Sequence, residues 1–241
     1  MAYNGLMDKL PSENKKLAEQ VNWIADRLAE SYPDEALTLV RSVLDELIFN
    51  VLVQGSSKER ALAAFNALKE EYHDWNEARV TRPASMAEII KGVGLESLKA
   101  ARLVKILQGI FEDRSEVDLE FLQEMSVPAI RNYLGGMEGI GESSIDTVLT
   151  FSLAKNFFPL NKAAVRFGQR FGLVPSLNDG RRLKGLLEDA VPQDKMPVFV
   201  LTLEYHNENI CRSDKPKCKT CPLQPRCAFG GKKGRLSKEA E

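Results

Sequence analysis

The chain has 241 residues, 44% apolar and 28% charged, with 33 Lys and Arg against 34 Asp and Glu for a net charge of −1. That length holds one large core or two modest ones, and the near-neutral total argues against a polycation that coats nucleic acid regardless of its structure. The longest apolar runs fall well short of the roughly 18 residues a membrane helix needs, and the opening MAYNGLMDKLPSENKK lacks the basic-then-apolar pattern of a secretion signal. A cytoplasmic protein with no membrane partner is expected.

Apolar residues recur every three or four positions through NKKLAEQVNWIADRLAESY, ALTLVRSVLDELIFNVLVQ, KERALAAFNALKEEY, SMAEIIKGV, LKAARLVKILQGIFE, DLEFLQEM, SSIDTVLTFSLAKNF and KAAVRFGQRFG, which predicts helices. No alternating segment competes, so the expected fold class is all-α. Breaks fall at Pro33, Gly55-Ser56-Ser57, Pro83, Ser126-Val127-Pro128 and Pro175, the punctuation of short connections. Two segments resemble one another, KGVGLESLKA at 91–100 and EGIGESSIDT at 138–147. Each places a Gly-x-Gly turn before a helix, where glycines permit positive φ and a close backbone approach. Such a turn can simply end one helix, or it can aim backbone N–H groups at a phosphate. In the second turn Gly139 and Gly141 are flanked by Glu138 and Glu142, and a carboxylate about 4 Å from a phosphate repels it by roughly 1 kcal/mol in water and ~4 at an effective dielectric of 20.

The cysteines all lie in CRSDKPKCKTCPLQPRC, as Cys211, Cys218, Cys221 and Cys227. Four thiolates within so short a segment can surround one metal centre, whereas structural cysteines would be scattered through the helices. Spacing alone leaves zinc and a [4Fe–4S] cluster both open. His206, one of two histidines with His73, precedes the array and is expected to pack or cap, since four thiolates complete a shell. Residues 211–241 hold nine Lys or Arg against Asp214, Glu239 and Glu241, a basic end suited to a polyanion. Lys217, Lys219, Arg226, Lys232 and Lys233 are its candidate phosphate contacts.

The C-x6-C-x2-C-x5-C array after a GIG hairpin, at the end of an all-α chain, resembles the endonuclease III and adenine glycosylase branch of the helix-hairpin-helix DNA glycosylases. The array is especially similar to the adenine glycosylase form, LIFNVLVQGSSKERA resembles the helix and turn that place a Gln in the duplex, and GVGLESLKA resembles the turn before the next barrel helix. The resemblance implies a [4Fe–4S] cluster on Cys211, Cys218, Cys221 and Cys227. It implies a six-helix barrel lobe at 38–150 and a second lobe from 1–37 and 151–241 carrying the cluster. It also implies Gln54 as the residue entering DNA; Gly139 and Gly141 of the hairpin with Ser143 behind them, Lys162, and Lys217 and Lys219 of the basic end are the further DNA contacts expected.

The same resemblance assigns the chemistry, and here the chain departs from the family. The lyase Lys position falls on Ser143, the Asp position on Asn161, and the acid that protonates adenine on Asn50. Asn keeps the shape of Asp but carries no charge to stabilise a sugar cation. Asp146, three residues after Ser143 on one helical face, is a candidate substitute; its structural alternative is a solvated or hairpin-pairing carboxylate. The expected function is binding of double-stranded DNA, damaged or distorted, by a monomer that lacks the usual glycosylase and AP-lyase chemistry. The alternatives are a monofunctional glycosylase with relocated catalysis and an iron-sulfur protein of electron transfer or assembly without a DNA role.

Overall fold

The structure, a computed structural model, describes residues 12–32 and 41–231. Every regular element among them is helical. The chain divides into two compact units, one of Met1–Leu39 and Ala154–Glu241 and one of Val40–Leu153.

The continuous unit is built around α1's successor in sequence, α2 (Val43–Val53), and the long α6 (Glu96–Arg114); α1 itself, Ser12–Ser31, belongs to the other unit. α2 is apolar on nearly every side and buries Val43, Leu44, Leu47, Ile48, Val51 and Leu52, as a helix enclosed by neighbours must. It begins at Ser42, whose side chain accepts from Asp45 N at 3.1 Å, a capping arrangement that stabilises by about 1 kcal/mol. The helix expected from residue 36 therefore starts at Val43, and residues 33–40 lie outside the described part. α3 (Lys58–Glu71) and α8 (Glu142–Phe151) pack on α2, while α4 (Trp75–Val80) and α5 (Pro83–Ile89) pack on α6. α7 (Val127–Gly135) pairs with α8.

Three local outcomes differ from the sequence pattern. DLEFLQEM forms a 3₁₀ turn, Glu120–Glu124, in place of an α-helix. Pro128, read as a break, sits in the first turn of α7, where proline's missing N–H has no helical partner to lose. α4 is six residues long, too short to show a period, and is set by its Asp74 cap accepting from Glu77 N.

In the second unit α1 packs against α10 (Gly180–Ala190) and α11 (Met196–Asn209), and α9 (Lys162–Phe171) packs against both of them. α1 contributes Val21, Ile24 and Leu28, each fully buried. Two 3₁₀ turns, Cys218–Thr220 and Gln224–Arg226, follow α11, and residues 228–231 are helical. No helix among the described residues is long and apolar enough to cross a membrane.

Candidate functional site

α7 and α8 with residues 136–141 between them form a helix-hairpin-helix. Their bases are joined by an ion pair from Arg131 to Asp146, the latter 1% exposed. Within the hairpin, Met137 N donates to Leu134 O and Ile140 N to Met137 O, both at 3.1 Å. Gly139 has φ +82°, and a Cβ there would collide with the guanidinium of Arg102 from α6. The backbone conformation favours glycine, and Arg102 would have to move to admit a Cβ. Gly141, the residue before α8, has φ −98°, and a Cβ on it would meet nothing within 4 Å. Nothing among the described residues demands glycine there. α8 carries no side-chain cap, and Gly141, Glu142 and Ser143 around its first-turn N–H groups are all exposed.

Of the two carboxylates beside the hairpin, Glu138 is paired with Lys105 of α6. That hydrogen bond and the lysine's charge hold the Glu138 carboxyl below the usual carboxylate range. Glu142 stands exposed in the first turn of α8.

The other Gly-x-Gly turn has a different fate. Gly92 and Gly94 take positive φ, and their N–H groups donate to Glu96 Oε1 at 2.9 and 3.0 Å. Hydrogen bonds from the N–H groups of Glu96 itself, Gly94 and Gly92 hold this carboxyl below its ordinary range. The chain's own carboxylate fills the anion position of that turn. Directly after it, Leu95 adopts φ +56° and is 71% exposed. A branched side chain in this conformation costs about 1–2 kcal/mol.

Gln54 ends α2, and both ends of its amide are engaged: Oε1 accepts from Arg102 Nη1 at 2.9 Å and Nε2 donates to Ser144 Oγ at 3.4 Å. Lys99, 3% exposed, donates from Nζ to Leu52 O at 2.7 Å and to Val93 O at 2.9 Å. It ties the end of α2 to the turn carrying Leu95, and burial pushes its pKa below that of an ordinary lysine. Arg102 and Lys99 are invisible to pattern reading, since both fall in a helix whose period predicts only its apolar face. Leu95 had one signal, its place directly after a Gly-x-Gly turn.

The remaining sequence-derived positions are placed as follows. Ser143 is exposed, and its carbonyl accepts from Thr147 Oγ1. Asn50 is buried on α2. Asn161, in the other unit, is the cap of α9, its Oδ1 accepting from Ala164 N at 2.9 Å, with Lys162 exposed beside it.

The four cysteine side chains line one cavity between α9, α11 and the loop that follows, walled by Phe167, Phe171, Leu223 and Phe229. Several polar groups face the sulfurs. Arg170 Nη1 lies 3.7 Å from Cys211 Sγ, Gly230 N donates to Cys227 Sγ at 3.4 Å, and His206 Nε2 is 3.8 Å from Cys221 Sγ. His206 Nδ1 pairs with the Tyr32 hydroxyl at 2.6 Å, and burial pushes the histidine down to about 4. Burial also raises the Cys211 thiol and pushes Cys221 up to about 11. Among the described residues, no three or more His, Cys, Asp or Glu groups are close enough together to hold a single metal ion. Lys217 and Lys219 are exposed on the loop; Arg226 lies over the Trp23 ring, 4.5 Å from its centroid. Lys232 and Lys233 fall outside the described residues.

No protein-family model matches the sequence. An Arabidopsis thaliana protein provisionally named a DNA glycosylase is 28% identical over 192 residues, covering 76% of this chain and 65% of the relative. Endonuclease III of Sulfolobus acidocaldarius is 24% identical over 191 residues, covering 78% of this chain and 83% of its own length. The chain spans just under two thirds of the first relative and 13% of the Arabidopsis DEMETER-like protein 2. Among solved structures, a thermostable thymine-DNA glycosylase matches with TM-score 0.75 and 21% identity over 92% of this chain and all of that one. An endonuclease III in non-covalent complex with DNA matches with TM-score 0.73 and 19% identity over 90% of this chain and 98% of that one. The fold and the hairpin define a class: the fold is that of the helix-hairpin-helix DNA glycosylases. In sequence the chain is similar to DNA glycosylases and to endonuclease III.

Proposed function

We propose that the protein binds double-stranded DNA at damaged or distorted sites without the usual glycosylase and AP-lyase chemistry. The observation that carries the binding reading is the uncapped first turn of α8 behind Gly141, a glycine with open space where its Cβ would be. Helix N-terminal N–H groups favour an anion, and the missing Cβ lets a phosphate approach them. Lys105 neutralises Glu138, one of the two carboxylates that would oppose this. Gln54 and the strained, exposed Leu95 are the side chains we assign to entering the duplex; an exposed leucine held at positive φ is unfavourable in the free protein and gains only by contact with a partner. The DNA complex of the endonuclease III neighbour supports the same partner.

The noncatalytic part rests on the neutral residues at the family's reactive positions. Ser143 and Asn161 offer neither amine nor acid, Asn161 serves as a helix cap, and Asn50 is buried. Asp146, the candidate substitute, is buried against Arg131, which favours its structural alternative. Losing one electrostatic stabiliser of a developing charge typically costs 10²–10³ in rate. The test is a single-turnover base-excision assay run beside binding on one panel of intact, abasic and lesion-bearing duplexes. Selective binding without excision is expected. Excision of any panel base by the unmodified protein would establish the second reading, a monofunctional glycosylase with relocated catalysis, which the glycosylase names of its relatives favour.

We further assign a [4Fe–4S] cluster to Cys211, Cys218, Cys221 and Cys227. The four thiols line one common cavity, the arrangement that a four-thiolate centre needs. Hydrogen-bond donors aimed at the sulfurs are the partners that thiolate-held clusters use. Bound there, the cluster supplies a cross-link and a redox centre. Anaerobically purified protein should contain about four iron and four sulfide per chain; stoichiometric zinc without iron would overturn the assignment.

A further inference from the structure

We propose that Arg102 is a positioning residue that presets Gln54 for insertion at a damaged site and couples it to the hairpin. The inference rests on the DNA-binding reading above. Gln54 is half-buried at the end of α2, a place where a free glutamine would sample many rotamers. Here its carbonyl is taken by Arg102 and its amino group by Ser144. Holding the amide at both ends removes the rotamer entropy that insertion would otherwise have to overcome.

Arg102 is also fitted to the hairpin. Its guanidinium packs against Gly139 in the space that a Cβ would otherwise take. A flat, delocalised cation can lie against bare backbone and still offer N–H groups along its edge, which an ammonium cannot. The glycine of the hairpin and the arginine of α6 are therefore complementary parts. Since α8 supplies both Ser144 and the first-turn N–H groups next to it, any shift of the hairpin towards a phosphate reaches the Gln54 side chain through Arg102 and Ser144. The hairpin then reports backbone position to the residue that probes the base stack. A plain surface cation would show neither the shared amide nor the collision with Gly139.

The test compares affinity for a duplex containing a tetrahydrofuran abasic site with affinity for the same duplex intact, over a salt series, for the full chain and for Gln54→Ala, Arg102→Lys, Arg102→Gln and the Gln54→Ala/Arg102→Lys double variant. Arg102→Lys retains the charge and loses the planar fork, and thermal melts monitored by circular dichroism report that it folds. Both Gln54→Ala and Arg102→Lys should lower the abasic-to-intact preference by about tenfold, the effect of one positioned hydrogen bond. The double variant should lose no more than either single one, because the two residues act as a unit. The salt slope of Arg102→Lys should match that of the unmodified protein, while Arg102→Gln loses preference and up to about one phosphate's worth of slope. If Gln54→Ala loses the preference and Arg102→Lys keeps it, the inference is overturned and the binding reading stands. Additive losses in the double variant overturn it equally, since Arg102 would then act apart from Gln54. If Gln54→Ala keeps the preference, or no DNA is bound at low salt, the reading of Gln54 fails and takes this inference with it.

Discussion

Lys99 is a charge kept 3% exposed, and its two carbonyl partners explain how the unit tolerates it. Leu52 O lies near the C-terminus of α2, where the helix dipole favours a cation; Val93 O belongs to the turn before Leu95. Replacing Lys99 with Met should leave both carbonyls without this donor, at about 1–3 kcal/mol each, partly offset because a buried charge no longer has to be desolvated. A net loss of roughly 2 kcal/mol is expected in urea unfolding. The pH dependence has a definite sign. Burial lowers the folded pKa of Lys99, so between that value and the unfolded value of about 10.4 the unfolded chain binds more protons. Stability from this group therefore rises as pH climbs through the window, and Lys99→Met should abolish that rise. A slope unchanged in the variant would show that Lys99 is not the source. Asp146 is the second charge to probe at this scale. Asp146→Asn breaks its pair with Arg131 and should destabilise by about 3 kcal/mol, at the low end for buried pairs because the arginine side chain keeps 27% exposure. A variant of unaltered melting temperature would argue that the aspartate is not structural.

The two hairpin glycines make an internal control at the level of the element. Gly139→Ala meets both a positive φ and the Arg102 guanidinium and should cost about 1–3 kcal/mol. Gly141→Ala meets neither and should cost no more than about 1 kcal/mol, the usual difference at a helix cap. DNA affinity should reverse part of that order: the Gly141 variant, though nearly as stable as the parent, should bind several-fold more weakly, because its methyl stands between the α8 amides and a phosphate. Equal affinity for Gly141→Ala and the parent would remove the hairpin from the binding surface. The same pair shows what a sequence can and cannot disclose. Period alone located α1, α2, α3, α5, α6, α8 and α9. It missed α4, α7, α10 and α11; in α11 the apolar residues of MPVFVLTLEYHNEN run all round the helix although the buried ones keep to one face, and it could not tell the two Gly-x-Gly turns apart. What separates them is Glu96 reaching back to fill the first, a matter of distance that spacing does not encode. The cysteine array was legible because its ligands are local; Arg102 and Lys99 were not, because they act across 47 or 48 residues.

At the scale of the whole chain, the two units are stabilised by different means, and this leads to a contrast that iron removal should expose. The continuous unit has a largely apolar helical core around α2 and α6. The loop of the other unit, residues 211–231, has two three-residue 3₁₀ turns and Leu223 as its fully buried aliphatic side chain. On the proposed cluster assignment, its order depends on what the thiols hold. Arg170 reinforces it by donating to the carbonyls of Cys211, Arg212 and Ser213, but those bonds are partly exposed to water. With the cluster extracted, or with Cys218 changed to Ser, buried thiols replace metal ligation, and the free energy that metal binding lends to folding is lost. Amide exchange should then accelerate through the loop and spread to α9 and α11, which wall the cavity, while α2, α6 and α8 keep their protection. DNA binding should weaken over the same titration and lose salt slope by about 0.9 for each phosphate that exposed Lys217 and Lys219 had contacted, because those lysines are presented by the loop. Protection lost evenly across both units would mean that the cluster stabilises the chain as one cooperative body. Protection unchanged everywhere would mean that the loop is ordered by its own contacts, and the assignment of a folding role to the four cysteines would be wrong.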